Sequence, residues 1–368
     1  MIPVCEPLVT ARDIALVNDA LNSGWISSVG KYLDFFEDRW AAYCGMPYGV
    51  AVSNGSTALD IAVNLLSLAP GDEVIMPAFT IISPAQSVVR AGGVPVLVDS
   101  DPVSWQMDVG QIEARVTPRT RAILVVHIYG HPADMDPILA VAARHGLTVI
   151  EDAAEAHGAE YKGKRCGGLS HISTFSFYAN KLVTTGEGGM VLTRNRADAE
   201  RARALRNLCF QPGRRFVHES LGYNFRMTNI QAALGIGQID RLHETVERKR
   251  EIARFYHEAL SGIQDLRLPV EMPWARNVYW VYGVLLCGSG KVEAAHVIEG
   301  LAAEGIEARP FFLGMHQQPV FRRMGMFSQD RHPGAENLAR NGFYLPNGLK
   351  LSAVDLEKVA AGVRKVLS

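Results

Sequence analysis

Short apolar runs alternate with helical segments through the first half of the chain, and this alternation restricts the fold more than any other feature. The runs have the length of single strands, and the segments between them have helical character. The predicted strands cover residues 49–53, 73–77, 94–99, 122–127 and 147–152, and the predicted helices cover residues 57–68, 84–91 and 135–145. Continuous apolar strands are usually covered on both faces, as in a mostly parallel sheet. The sequence therefore predicts an α/β fold.

The pattern changes after residue 228. A single long helix with charges on one face is predicted over residues 230–259. Beyond it, the sequence predicts a strand over residues 278–286 and helices over residues 292–304 and 354–367. This second half therefore has the character of a smaller α/β unit that follows a linking helix.

Length and charge restrict the organisation and the partners. A chain of 368 residues accommodates one large and one smaller domain. We predict an N-terminal arm and large cofactor-binding domain over residues 1–240, and the linking helix with a small C-terminal domain over residues 241–368. Lys plus Arg number 37 and Asp plus Glu number 38, so the net charge is −1. This balance gives no indication of a nucleic-acid or membrane partner, and an anionic ligand must be held by local groups.

Cysteine usage and the N-terminal segment bear on the compartment. The five cysteines are scattered and form no CxxC pair, so we expect neither a disulfide framework nor a metal site, and a reducing cytoplasm fits best. Glu6 and Pro7 near the start do not match a signal peptide. No apolar stretch reaches the length that spans a bilayer. We therefore expect a cytoplasmic protein.

Lys181 and Asp152 form the most informative pair of candidate functional residues. Lys181 ends the aromatic-rich run TFSFYANK, and Asp152 ends the apolar run LTVIED. A lysine can carry pyridoxal phosphate (PLP) as a Schiff base if an acidic group keeps the pyridine nitrogen protonated. In an open α/β sheet, ligands collect at the carboxyl ends of strands, where Asp152 is expected. Taken alone, Asp152 is equally well explained as a helix cap.

A phosphate site is predicted where the segment SNGSTAL joins a strand to a helix. Gly55 permits a tight turn, and free backbone N–H groups at a helix start suit a phosphate, although an ordinary Ser/Thr cap explains this segment equally well. Ser176, a few residues before Lys181, could donate its hydroxyl to the same phosphate; the alternative is a polar residue alternating along a strand. The glycines at residues 186–189 lack the GxGxxG spacing, which argues against a dinucleotide dehydrogenase.

Two further segments contain candidate substrate contacts. The histidines of the chain are not at metal-ligand spacing, and His157 and His316 are the two that we consider as substrate contacts. Trp25, Ser27 and their neighbours precede the sheet, and the sequence alone does not distinguish a surface arm from part of a binding mouth.

Together these segments resemble the DegT/DnrJ/EryC1/StrS family of PLP-dependent sugar aminotransferases over essentially the whole chain. The motifs that carry the resemblance are SNGSTALDIAV, PGDEVIMPAFT, VHIYGHPADMDPI, VIEDAAEAHGAEYKGK, FSFYANKLVTTGEGGM and LGYNFRMTNIQAALG. Within the family, WISSVG, YNFRMTN and the late EARPFF and MH segments resemble the GDP-perosamine synthase-like enzymes. The resemblance implies PLP fold type I, the aspartate aminotransferase-like architecture, and a homodimer with active sites at the subunit interface.

The resemblance also implies a role for each candidate residue. Lys181 is the Schiff-base lysine and proton shuttle, and Asp152 pairs with the pyridine nitrogen. Gly55, Ser56 and Ser176 hold the cofactor phosphate, Glu155 lies near the cofactor ring, and Asn224 reaches in from the partner subunit. The expected contacts with the sugar nucleotide are Trp25, Ser27, Arg309 and His316.

One position departs from the family pattern. The family usually has an aromatic residue just after the Thr of the Pro-Ala-x-Thr turn, where it packs on the cofactor ring, and this chain has Ile81 there. Phe79, two residues earlier, is the candidate that would compensate.

The activity implied by the resemblance is transfer of an amino group from L-glutamate to C4 of a nucleotide-linked 4-keto-6-deoxy sugar, in deoxysugar biosynthesis for lipopolysaccharide O-antigen. Related dehydratases replace the lysine with histidine, so Lys181 favours amino transfer. The alternatives are an aminotransferase acting on C3 of a sugar or on a keto-cyclitol, and a PLP-fold regulatory protein without turnover.

Overall fold

The computed structural model describes residues 1–211, 213–287 and 293–367, and a seven-stranded mixed sheet is its largest element. The strands in this part of the chain are β1 (Tyr48–Val52), β2 (Glu73–Pro77), β3 (Val94–Val98), β4 (Thr120–Val126), β5 (Thr148–Asp152), β6 (Glu160–Tyr161), β7 (Lys164–Arg165), β8 (Ile172–Ser176), β9 (Gly189–Thr193), β10 (Phe210–Gln211), β11 (Arg214–His218), β12 (Leu266–Arg267), β13 (Ala275–Arg276), β14 (Tyr282–Leu286), β15 (Arg309–Pro310) and β16 (Gly342–Leu345). The large sheet has the order β1-β9-β8-β5-β4-β2-β3.

Helices connect these strands and cover the large sheet. They are α1 (Ala11–Asn22), α2 (Lys31–Cys44), α3 (Gly55–Leu65), α4 (Ser83–Arg90), α5 (Met135–His145), α6 (Arg196–Arg206), α7 (Asn229–Asp240), α8 (Leu242–Leu260), α9 (Ala294–Ala303), α10 (Pro319–Arg323), α11 (Pro333–Asn341) and α12 (Ala353–Leu367). Single 3-10 turns lie at Val109–Gln111, Glu113–Arg115, Ile128–Gly130 and Met315–Gln317.

The pairing within the large sheet confirms the predicted α/β fold. Strands β3, β2, β4, β5 and β8 pair in parallel, and only β9 runs antiparallel to its two neighbours. Both β2 and β9 are buried along their full length, as expected for a sheet covered on both faces. Because β5 and β8 are parallel neighbours, their carboxyl ends lie side by side, and Asp152 is in register with Thr174. This edge of the sheet therefore brings together the two segments that carry the candidate residues.

The later half of the chain builds a core of its own. A four-stranded antiparallel sheet has the order β12-β14-β16-β15, and side chains of α8, α9 and α12 pack with it. Tyr256, Tyr282 and Phe343 are fully buried there. Ile2 joins this core from the N-terminal arm, since it bridges to Ile306. The domain boundary at residue 240 stays a prediction.

The predicted helix over residues 230–259 is wrong as one continuous element. The chain forms α7 and α8 with a break at Arg241, whose backbone has φ −113° and ψ 13°. The Arg241 guanidinium bonds Asp13 Oδ1 at 2.9 Å and the Leu8 carbonyl at 2.5 Å. The break in the helix lets Arg241 form an ion pair with Asp13 of the N-terminal arm, which is fully buried. A helical pattern in the sequence does not indicate a contact with a segment that is so distant along the chain.

The predicted strand over residues 278–286 is too long. Only Tyr282–Leu286 forms strand β14, because Tyr279 has φ +47° and turns the chain before it. The predicted helix over residues 292–304 is found as Ala294–Ala303, and residue 292 lies outside the described residues. The helices α1 and α2 were not predicted.

No helix in the described ranges combines the length and the apolar character that crossing a membrane requires. All five cysteines are free thiols.

A buried carboxylate, Glu151, fixes the end of β5. Its oxygens accept hydrogen bonds from the backbone N–H groups of residues 167, 169 and 170 at 2.8–2.9 Å, and the His127 ring at 3.1 Å. Ala133 N–H donates to His127 Nδ1, so Nε2 carries the proton that Glu151 accepts. Cys166 also lies nearby, but the lone pairs that a metal would need are already used.

We expect Glu151→Ala to lower the free energy of unfolding by about 3 kcal/mol, because three buried N–H groups and His127 lose their acceptor. Urea unfolding followed by circular dichroism measures this loss. The matched control is Glu113→Ala, since Glu113 is an exposed carboxylate that pairs with Arg144 and His145. An equal effect of the two variants would contradict the role of Glu151.

Burial alone would raise the pKa of Glu151, but the bonds from His127 and the backbone hold this pKa below its ordinary value. The stabilisation is therefore present above the unfolded pKa of about 4.3 and is lost as the pH falls through the lower folded pKa.

Candidate active site

A cavity of about 260 Å³ opens at the carboxyl ends of β5 and β8. It brings together six candidate residues that are far apart in the sequence: Gly55, Ser56, Asp152, Glu155, Ser176 and Lys181. The remaining lining residues are Leu59, Ile81, Ser83, Val126, Ala154, Tyr178, Asn180, Trp280, Phe312 and Tyr344. The site is therefore built by both halves of the chain.

Lys181 places its amine inside this cavity. The loop after β8 carries it, and its side chain is only 10% exposed. The Nζ atom lies 4.0 Å from Glu155 Oε1 and 3.5 Å from the centroid of the Trp280 ring. Burial lowers the pKa of Lys181, and the neighbouring Glu155 and Asp152 oppose that shift. An amine with a lowered pKa is closer to the neutral form that attacks a carbonyl carbon.

Asp152 lies at the end of β5 and is almost fully buried. Its Oδ1 accepts a hydrogen bond from Ala154 N–H at 3.1 Å. Burial raises the pKa of Asp152, while that bond and the charge of Lys181 act in the opposite direction. A buried carboxylate of this kind favours a cationic partner, and a protonated ring nitrogen is such a partner.

Glu155 occupies the space between Lys181 and the chain at residue 129. Its Oε2 accepts a hydrogen bond from Tyr129 N–H at 2.7 Å. Burial raises the pKa of Glu155 to about 7, against the effect of Lys181 and the Tyr129 bond. A raised pKa suits a carboxyl group that shares a proton with a neighbouring amine.

The start of α3 forms a cradle for an anion. Asn54 caps the helix by accepting from Thr57 N–H at 2.9 Å. In the part of the chain that the structure describes, the amides of Gly55 and Ser56 make no hydrogen bond, so they are available to a phosphate. The Ser56 and Ser83 hydroxyls lie 2.9 Å apart beside them.

Gly55 is required by close packing against β8. A Cβ atom on Gly55 would lie 2.6 Å from Ser176 Cβ and 3.1 Å from Ser176 Oγ. The absence of a side chain lets the helix start and Ser176 converge on the same space. A lysine, a buried carboxylate and a phosphate cradle around one cavity fit PLP.

Several lining residues were missed by the sequence reasoning. Ser83 begins α4 in the segment after Ile81, and a Ser at a helix start was the available signal. Phe312 adjoins Arg309 in the segment that the family resemblance singled out. Trp280 comes from a segment predicted only as a strand, and Tyr344 from a segment for which the sequence gave no prediction, so no sequence signal indicated either residue. The chain brings them to the cavity only when its later half folds against the sheet.

The structure places Phe79 away from the cavity lining. Phe79 is fully buried and packs against Tyr129, Phe311 and Phe312 at ring-centroid distances of 5.9–6.1 Å. Ile81 lines the cavity instead. This arrangement therefore gives no support to the expectation that Phe79 compensates for Ile81 at the cofactor ring. Phe79 packs against Phe312, which lines the cavity.

Trp25, Ser27 and Asn224 do not line the Lys181 cavity, and they lie beside a separate cleft. Asn229, at the start of α7, binds the Trp25 carbonyl through Nδ2 and the Ser27 carbonyl through its backbone N–H, both at 2.6 Å. Asn224 is exposed, and its Oδ1 accepts from Arg226 Nε at 2.8 Å. The cleft beside them has a volume of about 650 Å³. Its lining includes Ser28, Val29, Asn207, Phe210 and Arg226.

The remaining candidates are also outside the Lys181 cavity. Arg309 lines a neighbouring cavity of about 170 Å³ that shares Trp280 and Tyr344 with it. His316 is buried and pairs with Glu336 at 3.0 Å. His157 is buried behind the Lys181 loop, where Val183 N–H donates to its Nδ1 at 3.2 Å, and burial lowers its pKa to about 3. The roles of these residues stay predictions.

The fold and the cavity define an enzyme class, the fold type I enzymes that use PLP through a lysine. Comparisons with known proteins agree. The model of the DegT/DnrJ/EryC1/StrS aminotransferase family matches residues 7–364. The chain belongs to this family, and it is a PLP-dependent aminotransferase. The predictions of fold class, cofactor and enzyme type are confirmed.

Individual relatives match over nearly their whole length. A GDP-perosamine synthase from Caulobacter vibrioides is 41% identical over 367 residues, which cover 100% of this chain and 98% of that protein. A GDP-perosamine synthase from Escherichia coli O157:H7 is 39% identical, with 95% and 94% covered. The crystal structure of the aminotransferase TlmJ from Streptoalloteichus hindustanus is similar with a TM-score of 0.93 and 30% identity, covering 100% of this chain and 99% of that chain.

We expect Gly55→Ala to weaken PLP binding by at least about tenfold, because the new methyl group displaces Ser176 from the cradle. Fluorescence titration of the cofactor-free protein with PLP measures the affinity. Gly262→Ala is the matched control, since no atom lies within 4 Å of that Cβ position. Unchanged affinity in Gly55→Ala would contradict the placement of the phosphate at this helix start.

Proposed function

We propose that this enzyme transfers an amino group from L-glutamate to C4 of a nucleotide-linked 4-keto-6-deoxy sugar. The observation that carries the proposal is the 41% identity, over the full length of both chains, to a GDP-perosamine synthase, together with a cavity that retains Lys181. The proposal extends to deoxysugar synthesis for a lipopolysaccharide O-antigen in the cytoplasm, which rests on the family resemblance.

The chain's own residues supply binding and proton transfer in this proposal. When bound, PLP supplies an electron sink for the substrate carbon. Asp152 keeps the pyridine nitrogen protonated through its buried negative charge. The amides of Gly55 and Ser56 bind the phosphate, and the Ser176 hydroxyl closes the same cradle.

Lys181 Nζ acts as the general base and acid that moves a proton at the substrate carbon. Glu155 lies 4.0 Å from that nitrogen, and its carboxylate form offsets the positive charge of the amine. Trp280, Phe312 and Tyr344 form the apolar wall that excludes water from the amine. A histidine at position 181 would lack the primary amine that carries the cofactor, so the lysine favours amino transfer over dehydration.

The substrate proposal is tested by assaying the purified enzyme with L-glutamate and a panel of acceptors: a nucleotide-linked 4-keto-6-deoxy sugar, a 3-keto isomer and a keto-cyclitol. We expect turnover with the 4-keto sugar alone, with the new amine at C4 by NMR. Lys181→Ala should abolish turnover and the absorbance of the lysine-linked cofactor, while Lys162→Ala, a change at an exposed lysine, should preserve both. Turnover by Lys181→Ala at the normal rate would refute the catalytic assignment. Preference for the cyclitol or the 3-keto sugar would refute the substrate.

We also propose that the enzyme is a homodimer in which Asn224 completes the partner's site. Asn224 is exposed and does not line the Lys181 cavity of its own chain. Exposed apolar side chains lie on the same loops: Trp25 is 58% exposed, Val29 62% and Leu221 95%. Such side chains are typical of a surface that a partner covers.

Mixing two defective variants tests this arrangement. Lys181→Ala and Asn224→Ala should each lose activity, and a mixed dimer contains one intact site if Asn224 acts across the interface. Refolding an equimolar mixture should then recover about a quarter of the wild-type sites, since about half of the dimers are mixed. Analytical ultracentrifugation establishes the dimer independently. Loss of activity in both variants without recovery in the mixture would place Asn224 in its own chain's site.

A further inference from the structure

The amine of Lys181 lies against an aromatic face. Its Nζ lies 3.5 Å from the centroid of the Trp280 ring, well inside the roughly 6 Å range of a cation–π interaction. In the part of the chain that the structure describes, no hydrogen bond engages this nitrogen, and the nearest carboxylate oxygen, Glu155 Oε1, is 4.0 Å away. The indole face is therefore the closest partner that the structure gives the amine.

The Trp280 ring is held in place from both ends. Its Nε1–H donates to the carbonyl of Asn180 at 2.8 Å, and Asn180 is the residue just before Lys181. At the backbone, the Trp280 carbonyl accepts from Lys249 Nζ at 3.0 Å. Lys249 is buried and also donates to the Asn347 carbonyl, so a helix of the second core fixes the indole. The side chain is only 6% exposed.

The charged and titratable groups around the amine come from several elements. Glu155 and Asp152 face it from the segment that ends β5, and both oppose the lowering of its pKa by burial. His157 lies behind the loop and stays neutral at ordinary pH, because burial and the charge of Lys181 lower its pKa to about 3. Tyr129 and Tyr344 lie on the far side of Glu155, and burial raises the pKa of each. An aromatic face adds a contribution that favours the charged amine without adding a titratable group.

We propose that the face of Trp280 is the holding site for the Lys181 ammonium whenever the lysine is not linked to the cofactor. This makes Trp280 a positioning residue: it orders the amine and favours its charged form. The proposal rests on the role of Lys181 in the proposed function for its meaning in catalysis, but the contact itself joins two side chains of this chain.

The test measures the pKa of Lys181 in the cofactor-free protein. The pH dependence of its acetylation by acetic anhydride is resolved by peptide mass spectrometry. We expect Trp280→Leu to lower this pKa by about one unit, because a desolvated cation–π contact is lost. Trp280→Phe should give a smaller shift in the same direction, since a phenyl face attracts a cation less strongly. Trp274→Phe is the matched control, because Trp274 packs in another core cluster.

The outcomes separate the proposal from a merely structural role. A graded shift, Leu larger than Phe, with no shift in Trp274→Phe, supports it. An unchanged Lys181 pKa in folded Trp280→Leu and Trp280→Phe overturns it. If circular dichroism shows that Trp280→Leu does not fold, Trp280→Phe decides alone. The measurement contains no PLP and no substrate, so it stands even if turnover by Lys181→Ala were to refute the proposed function.

Discussion

The stability of a buried ammonium group depends on the groups around it, and the cavity at the carboxyl ends of β5 and β8 supplies such groups to Lys181. Removing an ammonium group from water is costly unless charges and dipoles of the protein replace its hydration. Here two carboxylates and an indole face do so. Each of these groups is in turn buried and hydrogen-bonded, so the site is pre-organised by groups well away from the reacting atoms.

The strands of the large sheet were predictable because each run is short, apolar and bounded by turn residues. Residues 73–77 and the helix at residues 135–145 were found with the predicted bounds. The junction of Asp152 with Lys181 was also accessible, since parallel strands place their carboxyl ends together. The elements that failed are those shaped by distant contacts. The break at Arg241 serves Asp13, which is more than 200 residues away in the chain.

The site residues also divide into those placed by local structure and those placed by distant contacts. Those on the large sheet and its helix starts converge on one cavity, because their positions follow from local structure and strand order. Trp280 and Tyr344 were missed because no local pattern marks an aromatic residue that reaches the cavity from the later half of the chain. Asn224, Trp25 and Ser27 do not line this cavity, and their sequence neighbours Ser28 and Arg226 line a separate cleft. Phe79 shows the limit of reasoning by proximity in sequence, since it lies two residues from Ile81 and faces a different environment.

The bond between the Trp280 indole and the Asn180 carbonyl joins the two halves of the chain at the cofactor site. Lys249 extends the connection into α8, and Tyr344 brings β16 to the same cavity. A ligand that binds only when both cores are in place stabilises their association by mass action. Cofactor binding therefore strengthens the association of the two halves of the chain.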